Sequence, residues 1–115
     1  MLNKQTLTIG FAIYNGEKFL RQRLENILTQ TCKDFILMIS DNASTDKTSN
    51  ICQEYQKKDS RIKYFRQPSN SGGINNFLWL LDKAKTEYFV WAAVDDIWSS
   101  NFLECNLSNL REKND

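Results

Sequence analysis

The sequence contains no histidine, which excludes the commonest general base and every Ser-His or Cys-His catalytic pair. Its cysteines are odd in number and show no Cys-x-x-Cys spacing, so neither a disulfide framework nor a structural zinc site is indicated. The longest apolar run covers residues 88–94 and is far too short to cross a membrane. These absences argue against histidine-dependent catalysis, against a disulfide or zinc scaffold, and against a membrane-spanning run within this sequence.

Net charge is almost absent as well. With 15 basic and 14 acidic side chains, the formal charge is +1, so we expect no nucleic-acid partner. The first five residues, MLNKQ, lack the pattern of a secretory signal peptide. We therefore expect a cytoplasmic protein with reduced cysteines.

What the sequence does contain is enough apolar material for a core. Of its 115 residues, 41% are hydrophobic and 12% aromatic, so a folded chain is expected rather than a disordered one. The length suits one domain, and there is no internal repeat, low-complexity tract or linker. We expect residues 1–115 to form a single domain.

Strand and helix patterns alternate along the chain. Helical apolar spacing predicts helices near residues 17–31, 45–58, 74–84 and 101–113, with Thr45 as the N-cap of the second. Strands are predicted at residues 6–14, 35–39, 61–66 and 88–94, and the continuously apolar ones are typical of strands buried on both faces. This alternation predicts an α/β fold with a mostly parallel, Rossmann-like sheet and flanking helices on both faces.

The polar residues follow the predicted strands, at the sheet edge where parallel α/β proteins bind ligands. Asp95 and Asp96 come directly after the fourth strand, where two adjacent carboxylates are costly to desolvate together. A divalent cation such as Mg²⁺ or Mn²⁺ would offset their repulsion and could be shared with substrate phosphates. The alternative is that the pair caps the following helix or lies in a solvated turn.

Asp41 follows the second strand, and two roles remain open for it. Its carboxylate could accept hydrogen bonds from a base or a ribose, or it could form an Asx-turn that ends the strand. Arg66, at the end of the third strand, is a candidate for contact with a diphosphate or an ordinary exposed strand-end arginine.

Five segments, in order and at consistent spacing, resemble family 2 glycosyltransferases of the GT-A type. Residues 8–15 (TIGFAIYN) resemble the family's first strand, and residues 24–31 (LENILTQT) its first helix. The most specific segment, residues 39–46 (ISDNASTD), is similar to the motif v-D-D-g-S-t-D. The others are residues 70–72 (NSG) and residues 94–98 (VDDIW), which resemble N-x-G and the end of D-x-D-D-x-w.

The resemblance implies site residues. Ala12 and Tyr14 would line a nucleotide pocket, and Asp41 would hydrogen-bond the base. Asp95 and Asp96 would serve the ribose and the metal–diphosphate, with Asp96 as the direct ligand of Mn²⁺ or Mg²⁺. Two positions depart from the usual pattern: Ala12 stands in place of a proline, and an alanine stands at position 93 in place of the motif's first aspartate.

The resemblance also implies a function. A sugar would pass from a nucleotide diphosphate sugar to an unknown acceptor, a sugar or a lipid-linked sugar, in bacterial surface-polysaccharide assembly at the inner face of the membrane. In this family the acceptor site and the catalytic base lie beyond the metal motif, so we expect the base outside this chain. The chain is then the nucleotide-sugar-binding half of a longer, truncated enzyme.

Two alternatives belong to other classes. One is a non-catalytic nucleotide-sugar-binding or interaction module, which would share every motif but lack a base. The other is a receiver domain, which places its paired acids after the first strand, where this chain has Tyr14 and Asn15. If the chain is truncated, we expect an exposed apolar patch that includes Trp79, Trp98 and Phe102 and that leads to homo-oligomers.

Overall fold

The computed structural model describes residues 7–114, in which strands and helices alternate. The strands are β1 (Leu7–Ile13), β2 (Phe35–Asp41), β3 (Ile62–Arg66) and β4 (Tyr88–Ala92). The helices are α1 (Glu17–Leu28), α2 (Thr48–Lys58), α3 (Gly73–Lys83) and α4 (Phe102–Asn114). The predicted element order is confirmed, and residue 6, predicted to begin the first strand, lies outside the described residues.

The four strands form one sheet in the order β3-β2-β1-β4, and every neighbouring pair is parallel. In the register, Leu7 lies opposite Phe35 on one side and Tyr88 on the other, while Leu37 lies opposite Ile62. Such parallel pairs need crossover connections, and the helices between the strands supply them. The predicted parallel α/β fold is confirmed.

The larger part of the core lies on one face of the sheet. Because side chains alternate along a strand, the odd-numbered residues of β1 share a face, and all of them are buried there. They form one cluster with the apolar stripe of α1, whose spacing suits a helix, and with residues of α2 and α4. The stripe consists of Leu20, Leu24 and Ile27, each with no exposed surface. Burying one such side chain contributes roughly 1.5–3 kcal/mol.

Helix α3 covers the opposite face. The side chains of Ser40 in β2 and Asn76 in α3 are hydrogen-bonded to each other in a buried position. Leu80 of α3 is fully buried and lies outside the main cluster. Helices therefore flank the sheet on both faces, as predicted.

The prediction that the fourth strand is buried on both faces was wrong. β4 ends at Ala92, and Ala92 is its only buried residue, while Trp91 is 41% exposed. The reason is its place in the sheet: β4 pairs with β1 alone, so its other edge has no neighbouring strand among the described residues. An apolar run indicates that a strand contains hydrophobic residues, but it does not indicate whether the strand lies at the edge or in the centre of the sheet.

The predicted N-cap of the second helix was also wrong. α2 begins at Thr48 after the N-cap Lys47, and no side chain caps that position. The Asp46 carboxylate instead accepts a 2.9 Å hydrogen bond from the Thr48 amide. Thr45 lies three residues before the first residue of α2, and its hydroxyl accepts a hydrogen bond from Asn15 at 3.3 Å.

The residues predicted for an exposed apolar patch were wrong. Trp98 is buried, with 7% of its surface exposed, its ring stacks on Phe102 at a centroid distance of 4.5 Å, and Trp79 and Phe102 are half-buried. Among the described residues, the largest group of exposed apolar side chains lies on α3, where Ile74, Leu78 and Leu81 are 77%, 56% and 50% exposed. No helix in residues 7–114 is long and apolar enough to cross a membrane.

Candidate functional site

The parallel sheet brings four polar loops to one edge. The loops after β1, β2 and β4 and the loop before α3 all leave the carboxyl ends of their strands, where open α/β sheets bind ligands. Each predicted site residue lies in one of these loops or in the last strand residues before it. The predicted placement of the polar loops at one edge is therefore confirmed. The predicted site residues form two groups along it: Ala12, Tyr14 and Asp41 at the ends of β1 and β2, and Asp95 and Asp96 after β4.

The loop after β1 is fastened to the loop after β2. Asn15 has a positive φ of 50°, a conformation that asparagine tolerates better than most residues. The side-chain Oδ1 of Asn15 accepts a 2.7 Å hydrogen bond from the Thr45 backbone amide. The backbone amide of Asn15 donates to the Ser44 hydroxyl at 2.8 Å. These bonds determine where the preceding residue, Tyr14, leaves the sheet.

Ala12 and Tyr14 lie together at a cleft of about 330 Å³ on this edge. Tyr14 is 48% exposed, so its ring is available to a ligand. The cleft volume falls within the range typical of small-molecule sites, roughly 300–1,000 Å³. The cleft is also lined by Asn42 after β2, by Asn70 and Gly72 in the loop after β3, and by Gly73 and Asn76 in the first turn of α3.

Asn42 is a site residue that the sequence analysis missed. It is 3% exposed, and its Nδ2 donates to Asn70 Oδ1 at 2.9 Å and to the Gly72 carbonyl at 3.2 Å. Its Oδ1 accepts a 3.1 Å hydrogen bond from the Ser71 amide. Gly72 has a φ of 94°, which favours glycine, so this side chain and this glycine together shape one wall of the cleft.

Asp41 is the last residue of β2 and is fully buried. Its Oδ1 accepts a 2.9 Å hydrogen bond from the Ser44 amide, and its Oδ2 accepts one of 2.6 Å from the Tyr64 hydroxyl. Arg66 lies 3.4 Å from Oδ2. Burial and the bond to Asp41 raise the pKa of Tyr64 to about 12. Asp41 thus closes the turn after β2 with one oxygen, while the other faces a tyrosine and an arginine. Recognition of a base by Asp41 stays a prediction.

Asp95 and Asp96 are exposed and lie in a turn after β4. Asp96 Oδ1 accepts a 2.9 Å hydrogen bond from the Ile97 amide in the same turn. α4 begins only at Phe102, so the pair does not cap the following helix. Within residues 7–114 no group of three or more acidic or cysteine side chains could hold a metal ion. Asp95 and Asp96 supply two neighbouring carboxylates, and carboxylate oxygen is the ligand type that Mg²⁺ and Mn²⁺ prefer.

A second feature missed by the sequence analysis lies beneath this turn. Arg23 of α1 is fully buried, and its Nε donates a 2.7 Å hydrogen bond to the Ala93 carbonyl. Burial lowers the pKa of Arg23, and the negative charges of Asp96 and Asp95 oppose that shift. No feature of sequence spacing links residue 23 to residue 93. The only signal was an arginine among the helical positions next to the apolar stripe.

Comparisons with known proteins agree on one family. A profile of glycosyl transferase family 2 matches residues 8–115. The chain is 28% identical over 109 residues to the glycosyltransferase GlyG of Streptococcus pneumoniae, covering 95% of this chain and 36% of that protein. It is 35% identical over 107 residues to the dTDP-rhamnosyl transferase RfbG of Shigella flexneri, covering 85% and 37%.

Solved structures share the fold. Staphylococcus aureus TarS in complex with UDP-GlcNAc superimposes with a TM-score of 0.85 at 24% identity, covering 93% of this chain and 31% of that one. The mannosyltransferase PcManGT of Pyrobaculum calidifontis, solved with GDP-Man and Mn²⁺, gives a TM-score of 0.75 at 20% identity, covering 84% and 29%. These likenesses show a Rossmann-like GT-A fold.

The chain therefore spans little more than a third of the curated relatives it matches. The matched part begins in β1 and passes through Asp41 and the Asp95–Asp96 turn, and the same part carries the cleft described above. Sequence profile, relatives and fold lead to one conclusion: the chain belongs to glycosyl transferase family 2.

Proposed function

We propose that residues 1–115 are the nucleotide-sugar-binding half of a GT-A glycosyltransferase that uses a nucleotide diphosphate sugar and a divalent cation. The observation that supports this most is the placement of Ala12, Tyr14, Asp41 and the Asp95–Asp96 pair along one carboxyl edge of a parallel sheet. TarS and PcManGT, which share the fold, were solved with UDP-GlcNAc and GDP-Man.

In this proposal the cleft receives the nucleoside. Ala12 and the exposed ring of Tyr14 contribute to its lining, and Asp41, whose Oδ2 contacts Tyr64 and Arg66, is proposed to accept a hydrogen bond from the base. Ordering of the loops by Asn15 and Asn42 prepares the cleft before the donor arrives, which reduces the entropy lost on binding.

The acidic pair would hold the cation and the ribose–diphosphate end of the donor. Asp96 is the proposed direct ligand of Mn²⁺ or Mg²⁺, and Asp95 serves the ribose and the diphosphate. When bound, the ion would neutralise the charge that develops on the departing nucleotide diphosphate. Exposure of both carboxylates lets them meet a ligand without prior opening of the fold.

Calorimetry tests the proposed donor site. UDP, GDP and dTDP are titrated into the chain with Mn²⁺ and again with EDTA. We expect at least one nucleotide to bind more tightly with Mn²⁺, and Asp96→Asn to remove that difference. The matched control is Asp82→Asn, at an exposed carboxylate of α3 whose side chain is 80% exposed. Equal affinities with Mn²⁺ and with EDTA for all three nucleotides would remove the metal site.

A second candidate function is donor binding without transfer. Transfer needs a group that deprotonates or aligns the acceptor hydroxyl. Two acids on the helices are already paired: Glu54 of α2 with Arg21 at 2.6 Å, and Glu104 of α4 with the Thr31 hydroxyl at 3.2 Å. We therefore propose that these 115 residues alone bind the donor but do not transfer sugar.

Incubation with nucleotide sugars, Mn²⁺ and a panel of sugar and lipid-linked acceptors distinguishes the two candidates. Glycosylated product that disappears in Asp96→Asn would show that this half carries a complete site. We propose bacterial surface-polysaccharide assembly, in the cytoplasm at the inner face of the membrane, as the setting that the family resemblance suggests.

A further inference from the structure

Arg23 is one of two charged side chains with no exposed surface in residues 7–110, the other being Asp41. Its Nη2 has no hydrogen-bond partner among the described residues. A buried guanidinium is costly unless its charge and its donors are satisfied, so arginine is rarely found at such a position. The contacts of Arg23 lead directly to the Asp95–Asp96 turn.

Those contacts reach both ends of the turn. On the entering side, Arg23 Nε donates a 2.7 Å hydrogen bond to the Ala93 carbonyl. On the leaving side, Nη1 donates to Asn26 Oδ1 at 2.6 Å, and the Asn26 amide pairs with the backbone of Trp98, accepting at 2.9 Å and donating at 2.8 Å. The guanidinium also lies over the Trp98 ring, 4.3 Å from its centroid.

Gln30 extends this attachment just beyond the C-terminal end of α1, which lies at Leu28. Its Nε2 donates to the Ser99 carbonyl at 2.7 Å, and its Oε1 accepts from the Leu103 amide at 3.2 Å. Arg23 and Asn26 are three positions apart, so they occupy one face of the helix. That face and the residue that follows the helix together hold the segment from residue 93 to residue 103 at four positions.

The acidic pair itself is held only through this backbone. Both carboxylates are exposed, and the only described bond to either is the one from Ile97 to Asp96 within the turn. A buried positive charge beneath two adjacent negative charges also reduces their mutual repulsion while no cation is bound. Arg23 thus contributes to a metal-binding turn in two ways: it fixes the backbone at residue 93, and its positive charge partly offsets the negative charges of Asp95 and Asp96.

We propose that Arg23 is a positioning residue for the cation–diphosphate site: it fixes the Asp95–Asp96 turn from below through its contacts with Ala93, Asn26 and Trp98. This inference rests on the proposed donor site. Partners that orient ligating carboxylates change metal affinity by roughly 10–100-fold when they are replaced.

A purely structural arginine would behave differently. Its loss would lower the stability of the fold and weaken nucleotide binding equally with and without metal. Positioning of the turn predicts a selective effect on the metal-dependent part of binding, together with faster backbone exchange confined to residues 93–103.

The test compares wild type with Arg23→Met, which keeps an unbranched apolar side chain like the aliphatic stem of arginine but removes its charge and donors. UDP is titrated with Mn²⁺ and with EDTA, and amide hydrogen exchange is measured. We expect Arg23→Met to reduce affinity in Mn²⁺ by about 10–100-fold, to leave affinity in EDTA unchanged, and to speed exchange in residues 93–103 but not in β2. Equal losses in both buffers, or no loss, would overturn the proposal.

Two further variants make the result decisive. Arg23→Lys keeps the charge but cannot bond Ala93 and Asn26 with one planar group, so we expect an intermediate loss; full wild-type metal dependence in Arg23→Lys would contradict the proposal even if Arg23→Met failed to fold. Asp96→Asn separates the two hypotheses. If wild type and Asp96→Asn both lack metal dependence, the donor-site proposal fails. If Asp96→Asn loses it while Arg23→Met keeps it, only the role of Arg23 fails.

Discussion

The hydroxyl of Tyr64 donates a 2.6 Å hydrogen bond to Oδ2 of the fully buried Asp41. Parallel pairing of β2 with β3 places Tyr64 opposite Ile39 and Arg66 opposite Asp41, so both reach the carboxylate from the neighbouring strand. A buried carboxylate is tolerated only where such partners replace its water. The partners of Asp41 therefore belong to the sheet, and the turn supplies only the Ser44 amide.

The first prediction concerns stability at high pH. Burial and the bond to Asp41 raise the pKa of Tyr64 from 10.0 to about 12 in the folded state. A raised folded-state pKa contributes stability that is complete below pH 10.0 and is lost as the pH rises towards about 12. We expect wild type to be more stable than Tyr64→Phe at neutral pH and to lose that advantage over this range.

Urea unfolding of both proteins from neutral to high pH measures this difference. Tyr14→Phe, at a residue that is 48% exposed, is the matched control and should follow wild type throughout. A difference between wild type and Tyr64→Phe that stays constant with pH would contradict the assigned role of the Tyr64 hydroxyl.

The second prediction concerns base recognition. If Asp41 accepts a hydrogen bond from the base, Asp41→Asn should weaken nucleotide binding by roughly 1.5–3 kcal/mol, the usual value for a bond to a charged group. The fold should persist, because the asparagine Oδ1 can still accept the bond from Ser44. Asp59→Asn is the control, since Asp59 pairs with Arg61 at the opposite end of β3. Unchanged affinity in calorimetry would leave Asp41 as a turn former.

The third prediction concerns Asn42. Asn42→Ala removes three side-chain hydrogen bonds to the loop before α3. We expect a loss of about 1–3 kcal/mol in the free energy of unfolding, because buried groups lose their partners, and faster amide exchange in residues 70–73. Asn50→Ala, at an exposed position of α2, should change neither quantity. Equal stabilities of the two variants would show that the loop bonds are replaced by water at no cost.

The fourth prediction concerns self-association through α3. Ile74, Leu78 and Leu81 expose apolar surface on one helix, and such patches usually find a partner. We expect concentration-dependent dimers or larger species in light scattering, and we expect Ile74→Lys combined with Leu81→Lys to shift them towards monomer. The charge-matched control places lysines at Asn50 and Gln53 of α2. A wild-type chain that remains monomeric at high concentration would refute this prediction.

Local pattern was sufficient for the order of the elements. The period of the apolar residues and the positions of the loops predicted four strands and four helices, because each element is specified by neighbours within a few residues. The same pattern placed Asp41 and the Asp95–Asp96 pair at strand ends. Parallel pairing then brings those ends to one edge, which follows from the crossover helices rather than from any particular side chain.

Tertiary structure decided the rest. The order β3-β2-β1-β4 makes β4 an edge strand, and no local signal distinguishes its apolar run from that of a central strand. Asn42 and Arg23 were missed because their partners are remote: Asn42 bonds Asn70, 28 residues away, and Arg23 bonds Ala93, 70 residues away. Composition and periodicity reflect interactions between residues that are close in the sequence, and they do not predict such long-range contacts. Burial of a guanidinium beneath an acidic turn depends on how a helix packs against a distant loop, and only the folded chain contains that information.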